Sequence, residues 1–290
     1  MIQCQPRDRN CLRDAMASTQ LPVLPPNAPY LLRAMSSEEI GFAELARVVE
    51  KFPTIAARLI SLANSTWSSP VTEVTSLEMA CARLGFFVVR SVSVALSIAN
   101  VFNPRTCPAF DPIRYWANAF LTADLCTGLA EELEETGEVD PQMARTAGLL
   151  HNLGLLWLAT WMPEETHRAL LASDDAPDTP LEGLLVEHCG AGFTEAGALL
   201  TEAWKFPEVL TEALRHQAET GYDGEHWESA ALVGLAGRVI HACKEEAPLA
   251  ASDPRWSRLG LPPEAEAPLV QHAADRRGEI RELARALFGS

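Results

Sequence analysis

The stretch AGLLHNLGLLWLATW, residues 147–161, decides the fold class. Its apolar residues fall nearly all round a helix, whereas a helix lying on a protein surface shows a single apolar stripe. The pattern predicts one helix from about Pro141 to Trp161, buried at the centre of the protein. Within the quoted stretch the two strongly polar residues, His151 and Asn152, stand side by side.

Helical periodicity continues on both sides. Upstream, Pro53 precedes an apolar stripe of Ile55, Leu59 and Leu62 with Ala56 and Ala63, and proline suits a first helical turn. Thr75 followed by Glu78 reads as a capping box that opens a long apolar helix through Met79, Leu84, Val88, Val92 and Leu96 to about Val101, before Asn103-Pro104 stops it. From Pro112 a further helix carries Tyr115, Trp116, Phe120 and Leu125 toward an acidic, solvated end at Glu131 to Glu135. Downstream, Ser173 to Pro180 is a loop by composition. Helices then fit Leu181 to His188, Thr194 to Trp204, Pro207 to His216 and Trp227 to Cys243. Leu249 to Pro263 is Pro-rich and irregular, and a final amphipathic helix places Ile280, Leu283, Ala284 and Leu287 on one face. Strand signals are nearly absent, since no turn dipeptide sits between alternating runs. The fold class expected is all-α, with about a dozen helices of ordinary length.

Composition narrows the function. With 290 residues, 48% of them hydrophobic, the chain can bury a sizeable core and is not disordered over most of its length. It carries 23 Lys and Arg against 39 Asp and Glu, a net charge of −16. That field repels polyanions, so neither nucleic acid nor an anionic membrane is an expected partner. The longest charge-free stretch near the middle, Ser91 to Pro104, is shorter than the roughly 20 apolar residues of a membrane span. The first residues, MIQCQPRDRNCLRDAM, lack the apolar run of a secretory signal, and a cytoplasmic protein is expected. Residues 1–20 show no periodicity and read as a loosely docked arm. The seven cysteines, Cys4, Cys11, Cys81, Cys107, Cys126, Cys189 and Cys243, are scattered and never spaced as CxxC, which suggests neither a disulfide framework nor a zinc knuckle. No GxGxxG, P-loop or GxSxG motif occurs.

Several stretches together resemble one family. LPVLPPNAPYLLRAM, FAELARVVEKFPTIAARLISLANSTW and VTSLEMACARLGFFVVRSVSVAL are similar to the N-terminal half of HDOD domains, bacterial signalling modules related to HD phosphohydrolases. RYWANAFLTA, ARTAGLLHNLGLLWL, EAGALLTEAWKFPEVLTEALRHQ and ALVGLAGRVIHA continue the match in the family's order. The resemblance covers residues 21–243 and implies a helical N-terminal subdomain (21–104) packed on a degenerate HD-like bundle (105–243). Residues 244–290 form a C-terminal extension. It also implies that the module relays signals by contacting other signalling proteins. These residues hold no receiver or cyclase domain, so input is expected from another chain.

By the same resemblance, the HD ligand positions fall at Asn118, at the doublet His151-Asn152, at Phe193, at His216-Gln217 and at Gly237. An HD phosphohydrolase needs imidazoles and carboxylates around divalent cations, which neutralise phosphate charge and activate water. Only His151 and His216 keep a good ligand here. Both carboxylates are missing, and hard cations are held chiefly by anionic oxygen. Each lost charge is worth several kcal/mol at an effective dielectric near 20. The expectation is therefore a pseudoenzyme with no catalytic residue and no cofactor.

Four other readings stay open. His151 could be a hydrogen-bonded core residue, with Asn152 bonded to it or to Asn118. The two imidazoles could hold Zn or Ni weakly, with help from His167 or His188. A residual phosphohydrolase could recruit Glu187 or Glu219, or the vacated site could bind a nucleotide or metabolite as a sensor. Among weaker signals, ETGYDG (219–224) reads as a turn, and Asn64 reads as a left-handed helix cap. Trp67, Trp157, Trp161 and Trp204 read as core or subdomain-junction residues, of which a minority could line a groove for a partner helix. The acidic face from Glu131 to Glu138 reads as solvated, able to steer a basic partner.

Overall fold

The computed structural model describes residues 21–25, 28–35, 41–68, 72–133, 139–176, 179–245 and 253–289. The expected N-terminal arm, with Cys4 and Cys11, lies outside these residues, as does the acidic run from 134 to 138. All regular structure among the described residues is helical.

The first helices are α1 (Ala28–Met35), α2 (Phe42–Glu50), α3 (Pro53–Ala63) and α4 (Leu77–Ala99). The first three helices all pack on α4, burying Leu31, Leu45, Val49, Leu59 and Leu62 against it. Pro53 does stand in the first turn of α3, and Phe42 stacks on Phe86 at 3.9 Å. The second part of the chain is a helical bundle. In it α5 (Pro112–Glu132) lies along α6 (Pro141–Leu150). The next helices are α7 (Leu153–Trp161), α8 (Pro163–Asp175), α9 (Leu181–Cys189), α10 (Phe193–Ala203), α11 (Glu208–His216) and α12 (Trp227–Glu245). Successive pairs α8–α9, α10–α11 and α11–α12 pack together, and α7 rests on α10. The C-terminal part adds the short α13 (Pro254–Arg258) and the long α14 (Glu266–Phe288), which lies against α5 and α12 and also reaches α3. As the periodicity predicts, Ile280, Leu283, Ala284 and Leu287 form the buried face of α14.

Two indoles tie distant segments together: Trp67 Nε1 donates to the Glu279 carbonyl (3.1 Å) and Trp204 Nε1 to the Pro22 carbonyl (2.8 Å). Trp157 and Trp161 stack on each other at 5.4 Å.

Four local expectations are corrected. The helix from Pro141 to Trp161 is two helices, because Asn152 leaves helical geometry at φ −101° and ψ 17°. The long helix from Leu77 contains a break at Gly85, whose φ of +79° no side-chain-bearing residue adopts cheaply. Its cap is Ser76, whose hydroxyl accepts from the Met79 amide (3.2 Å), rather than Thr75. Asn64 is not left-handed, with φ −101°. Its side chain instead accepts from the Val74 amide and donates to the Val74 carbonyl, both at 2.8 Å, pinning the chain ten residues on. Two loops are also more ordered than composition suggests, since α8 runs to Asp175 and α13 lies inside the Pro-rich segment.

Leu77–Ala99 is long and apolar enough, by length and composition, to cross a membrane. Within this fold, 61% of its most apolar window is buried against the rest of the protein, as in a core helix. The charge-free criterion passes over it because Arg83 and Arg90 interrupt the run.

Candidate functional site

The break at His151-Asn152 builds the site. Helix α7 restarts at a place where Gly154 meets α10 so closely that a Cβ there would lie 2.1 Å from the Phe193 carbonyl oxygen and 2.5 Å from the Gly197 nitrogen. Only glycine permits that approach, and it brings the doublet beside the start of α10. The break also frees main-chain groups that a continuous helix would have used. The Tyr115 hydroxyl donates to the Asn152 carbonyl (3.2 Å), and Gln217 Nε2 donates to the His151 carbonyl (2.9 Å) and the Leu214 carbonyl (2.9 Å).

His151 is 7% exposed, and its Nδ1 lies 2.7 Å from the Gly148 carbonyl, so that nitrogen carries the proton. This is the satisfied core histidine among the readings the sequence left open. The doublet's two carbonyls are thus held by Tyr115 and Gln217, and the His151 side chain meets Gly148. Asn118 itself is half-buried, and its carbonyl accepts from the Thr122 hydroxyl (2.8 Å).

The remaining positions singled out by resemblance have partners of their own. The Phe193 amide donates to Glu182 Oε2 (2.8 Å), and the Thr194 hydroxyl donates to Glu182 Oε1 (2.5 Å), so this carboxylate caps α10 at its positive end. Burial pushes the Glu182 carboxyl up despite those bonds. His216 is clamped between Glu219 (Nδ1 to Oε1, 3.0 Å) and Glu212 (Nε2 to Oε2, 3.2 Å). Its ring stacks on Tyr222 at 3.7 Å, and the Tyr222 hydroxyl donates to Glu212 Oε2 (3.0 Å). Burial, then the Glu212 acceptor, pushes the Tyr222 phenol up to about 12. The segment 219–224 is a turn, as expected, but one anchored on His216. Gly237 stands on α12 with nothing within 4 Å of where its Cβ would be.

Of the helpers considered for a metal, Glu219 reaches His216, whereas His167 accepts from the Ala109 amide (3.2 Å) and Glu187 is exposed. Among the described residues, no three His, Cys, Asp or Glu side chains group so as to hold a metal ion. The described cysteines are free, and Cys81, Cys107, Cys126 and Cys189 are buried. Burial pushes the Cys81 and Cys189 thiols up to about 11.

One participant has no counterpart in the sequence reading. Arg255, 6% exposed, donates Nη1 to the Gln217 carbonyl (2.9 Å). Its other nitrogens pair with Asp253, Nε to Oδ1 at 3.0 Å and Nη2 to Oδ2 at 2.8 Å. Burial alone would raise the Asp253 carboxyl, but the bonds and charge of Arg255 overturn this and hold it below its ordinary value. The signal was Asp253-Pro254, an N-cap followed by proline, and the Asp253 side chain does accept from the Arg255 amide (3.0 Å).

Comparison with known proteins follows the same lines. The HDOD domain family model matches residues 21–220. Among solved structures, a protein of Marinobacter aquaeolei VT8 named for signal transduction superposes with a TM-score of 0.81 at 26% identity, covering 98% of this chain and 62% of its own. An HDOD domain protein of Geobacter sulfurreducens has a TM-score of 0.72 at 19% identity, covering 97% and 98%. A protein of Shewanella amazonensis SB2B named as a phosphohydrolase has a TM-score of 0.68 at 24% identity, covering 96% and 98%. An uncharacterised protein of Treponema pallidum is 20% identical over 231 residues, 79% of this chain. The chain spans 44% of that relative's length.

Proposed function

The chain belongs to the HDOD domain family, and on that premise we propose that it is a non-catalytic signalling module that acts by binding other signalling proteins. One observation carries the reading: the positions that resemble HD ligand sites hold Asn118, Asn152, Phe193, Gln217 and Gly237, and both remaining imidazoles are engaged within the protein. His151 donates to a main-chain carbonyl, and His216 sits between two carboxylates that belong to its own helix and the following turn. Hydrolysis of a phosphate ester at such a site would need cations that offset charge and activate water, and two carboxylates that would attract them are absent. The net charge of −16 favours partners with a basic surface and disfavours nucleic acid and anionic membranes. A cytoplasmic location fits a module of this kind.

The test is metal content together with activity. Protein purified without added metal should contain no stoichiometric Mn, Fe or Zn, and should not hydrolyse phosphate esters or cyclic dinucleotides when Mn²⁺ is supplied. The double variant Asn152→Asp/Gly237→Asp should gain Mn²⁺ affinity at least about tenfold, since each new carboxylate adds several kcal/mol of attraction and Gly237 has room for a side chain. Hydrolysis by the unaltered protein, abolished by His151→Ala, would overturn the proposal and favour a residual phosphohydrolase.

A further inference from the structure

A cleft of about 640 Å³ opens away from the HD-like positions, where the N-terminal subdomain, the bundle and α14 meet. That volume is within the range of small-molecule sites. Its lining sets Arg83, Arg145 and Arg276 against Asp124, Glu131 and Glu279, a local balance that contrasts with the chain's net charge of −16. Arg145, on α6, lies over the Phe87 ring at 5.2 Å and donates Nε to Thr127 Oγ1 (3.2 Å) and Nη1 to Gln142 Oε1 (2.7 Å). Arg83, on α4, donates to the Thr72 carbonyl (3.0 Å) and hydroxyl (3.3 Å). Both guanidinium groups are thus satisfied by neutral oxygens, and among the described residues neither has a carboxylate at ion-pair distance.

Two of the acids lining the cleft have partners on α14: Asp124 meets His272 (3.0 Å), and Glu279 lies 3.6 Å from Arg276. Glu131 is exposed at the rim. A guanidinium that meets only neutral acceptors in a partly closed cleft is a ready partner for a planar or tetrahedral oxyanion, which it can bind in bidentate fashion. Burial, and after it the nearby charge of Arg90, brings the Arg145 guanidinium down to about 10 even though Glu131, Asp124 and Asp140 act the other way, and a bound anion would relieve that cost. Trp67, whose Nε1 is tied to the Glu279 carbonyl, adds an aromatic surface to the same wall.

We infer that this cleft binds a small phosphorylated molecule with a flat ring, of the nucleoside phosphate class, with Arg83 and Arg145 holding phosphate oxygens and Trp67 meeting the ring. A short anion feels the local guanidinium pair, whereas a long polyanion also meets the acidic surface around it. The ligand would touch α4, α5, α6 and α14 at once, and so would fix the N-terminal subdomain and the C-terminal helix relative to the bundle. The inference is independent of whether the HD-like positions are inert.

Titration calorimetry with ADP, pyrophosphate and adenosine on the full chain tests it. ADP should bind, pyrophosphate should bind more weakly, and adenosine should give no measurable heat at roughly millimolar concentration. Arg145→Gln and Arg83→Gln should each weaken ADP binding at least about tenfold, with unchanged circular dichroism. Arg83 is half-buried and its side chain bonds only Thr72 among the described residues, so Arg83→Gln decides the matter if Arg145→Gln does not fold. No heat and no thermal shift with either ADP or pyrophosphate would overturn the inference, as would adenosine binding equal to ADP, or ADP affinity unaltered in Arg83→Gln.

Discussion

Replacing Asp253 by Asn removes the carboxylate that holds Arg255 inside the protein. Both side chains are almost wholly buried, at 8% and 4% exposure for Arg255 and Asp253. The pair is bidentate, and the guanidinium has one further bond, to the Gln217 carbonyl. Breaking a buried pair from one side costs about 3–5 kcal/mol, because the remaining charge stays desolvated. Asp253→Asn should fall near 3 kcal/mol, since Arg255 keeps Gln217. Arg255→Met, which fills similar volume, should cost a comparable amount. The double variant leaves no orphaned charge and should cost less than the sum by about 2 kcal/mol, within the coupling that neighbouring residues show. Urea unfolding followed by circular dichroism gives the four stabilities, with the slope m unchanged. The pH dependence has a definite sign. The folded-state carboxyl lies below its unfolded value of 3.8, so this stabilisation is present above that pH and is lost as pH falls through the lower, folded value. Asp253→Asn should lack that acid-side loss. Single variants that each cost under about 1 kcal/mol and add without coupling would refute the claim that this pair anchors the C-terminal segment.

Three further outcomes follow from the same geometry. Gly234→Ala should destabilise by about 1–3 kcal/mol, because its Cβ would lie 1.8 Å from Arg255 Nη1 and 2.3 Å from the Gln217 carbonyl oxygen; a urea midpoint equal to that of the parent would contradict it. Burial holds the Glu182 carboxyl above its ordinary 4.5, so its contribution is fully present below that pH and is lost as pH rises through the folded value. Glu182→Gln should remove this loss, seen as a melting temperature that gains on the parent between about pH 4 and pH 8. Phe288 stacks on buried Trp116 at 4.8 Å, and Phe288→Ala should cost about 2 kcal/mol, less than the full price of a core phenylalanine because the ring is half-exposed; an unchanged Trp116 fluorescence and stability would show that the end of α14 is not docked there.

The all-helical class was legible because apolar periodicity reports burial directly: the stripe of α3 and the face of α14 are buried where the pattern puts them. The positions of Pro53 and Pro112 likewise marked helix starts, since a proline costs nothing in a first turn. What stayed hidden depends on groups that pattern does not encode. The interruption at Asn152 has no proline or glycine at the break itself, and its cause is tertiary, the close contact of Gly154 with α10. The Asn64 clamp on Val74 needs the chain to return to it, which local sequence does not announce. At the candidate site, the residue types were readable and their engagements were not. His216 and Tyr222 are six residues apart and read as unrelated, yet their rings stack, because the turn between them reverses the chain over the end of α11.

His151, Asn152 and Gln217 form a polar seam that the bundle closes with its own main chain. A broken helix leaves the His151 carbonyl without its helical partner, and Gln217 supplies an amide to it. Gln217 in turn offers its own carbonyl to Arg255, which reaches in from beyond the family-matched residues and carries its counter-charge with it on Asp253. A carboxylate at 217 would face two carbonyl oxygens across the distances that now separate Nε2 from them, 2.9 Å in each case, and would be repelled by both. The amide is therefore the side chain that this seam requires, and its two donors are spent on holding α11 to the break between α6 and α7. The side chains of this seam make structural bonds to main chain of the same protein, and signalling by contact rather than by turnover is proposed on that ground.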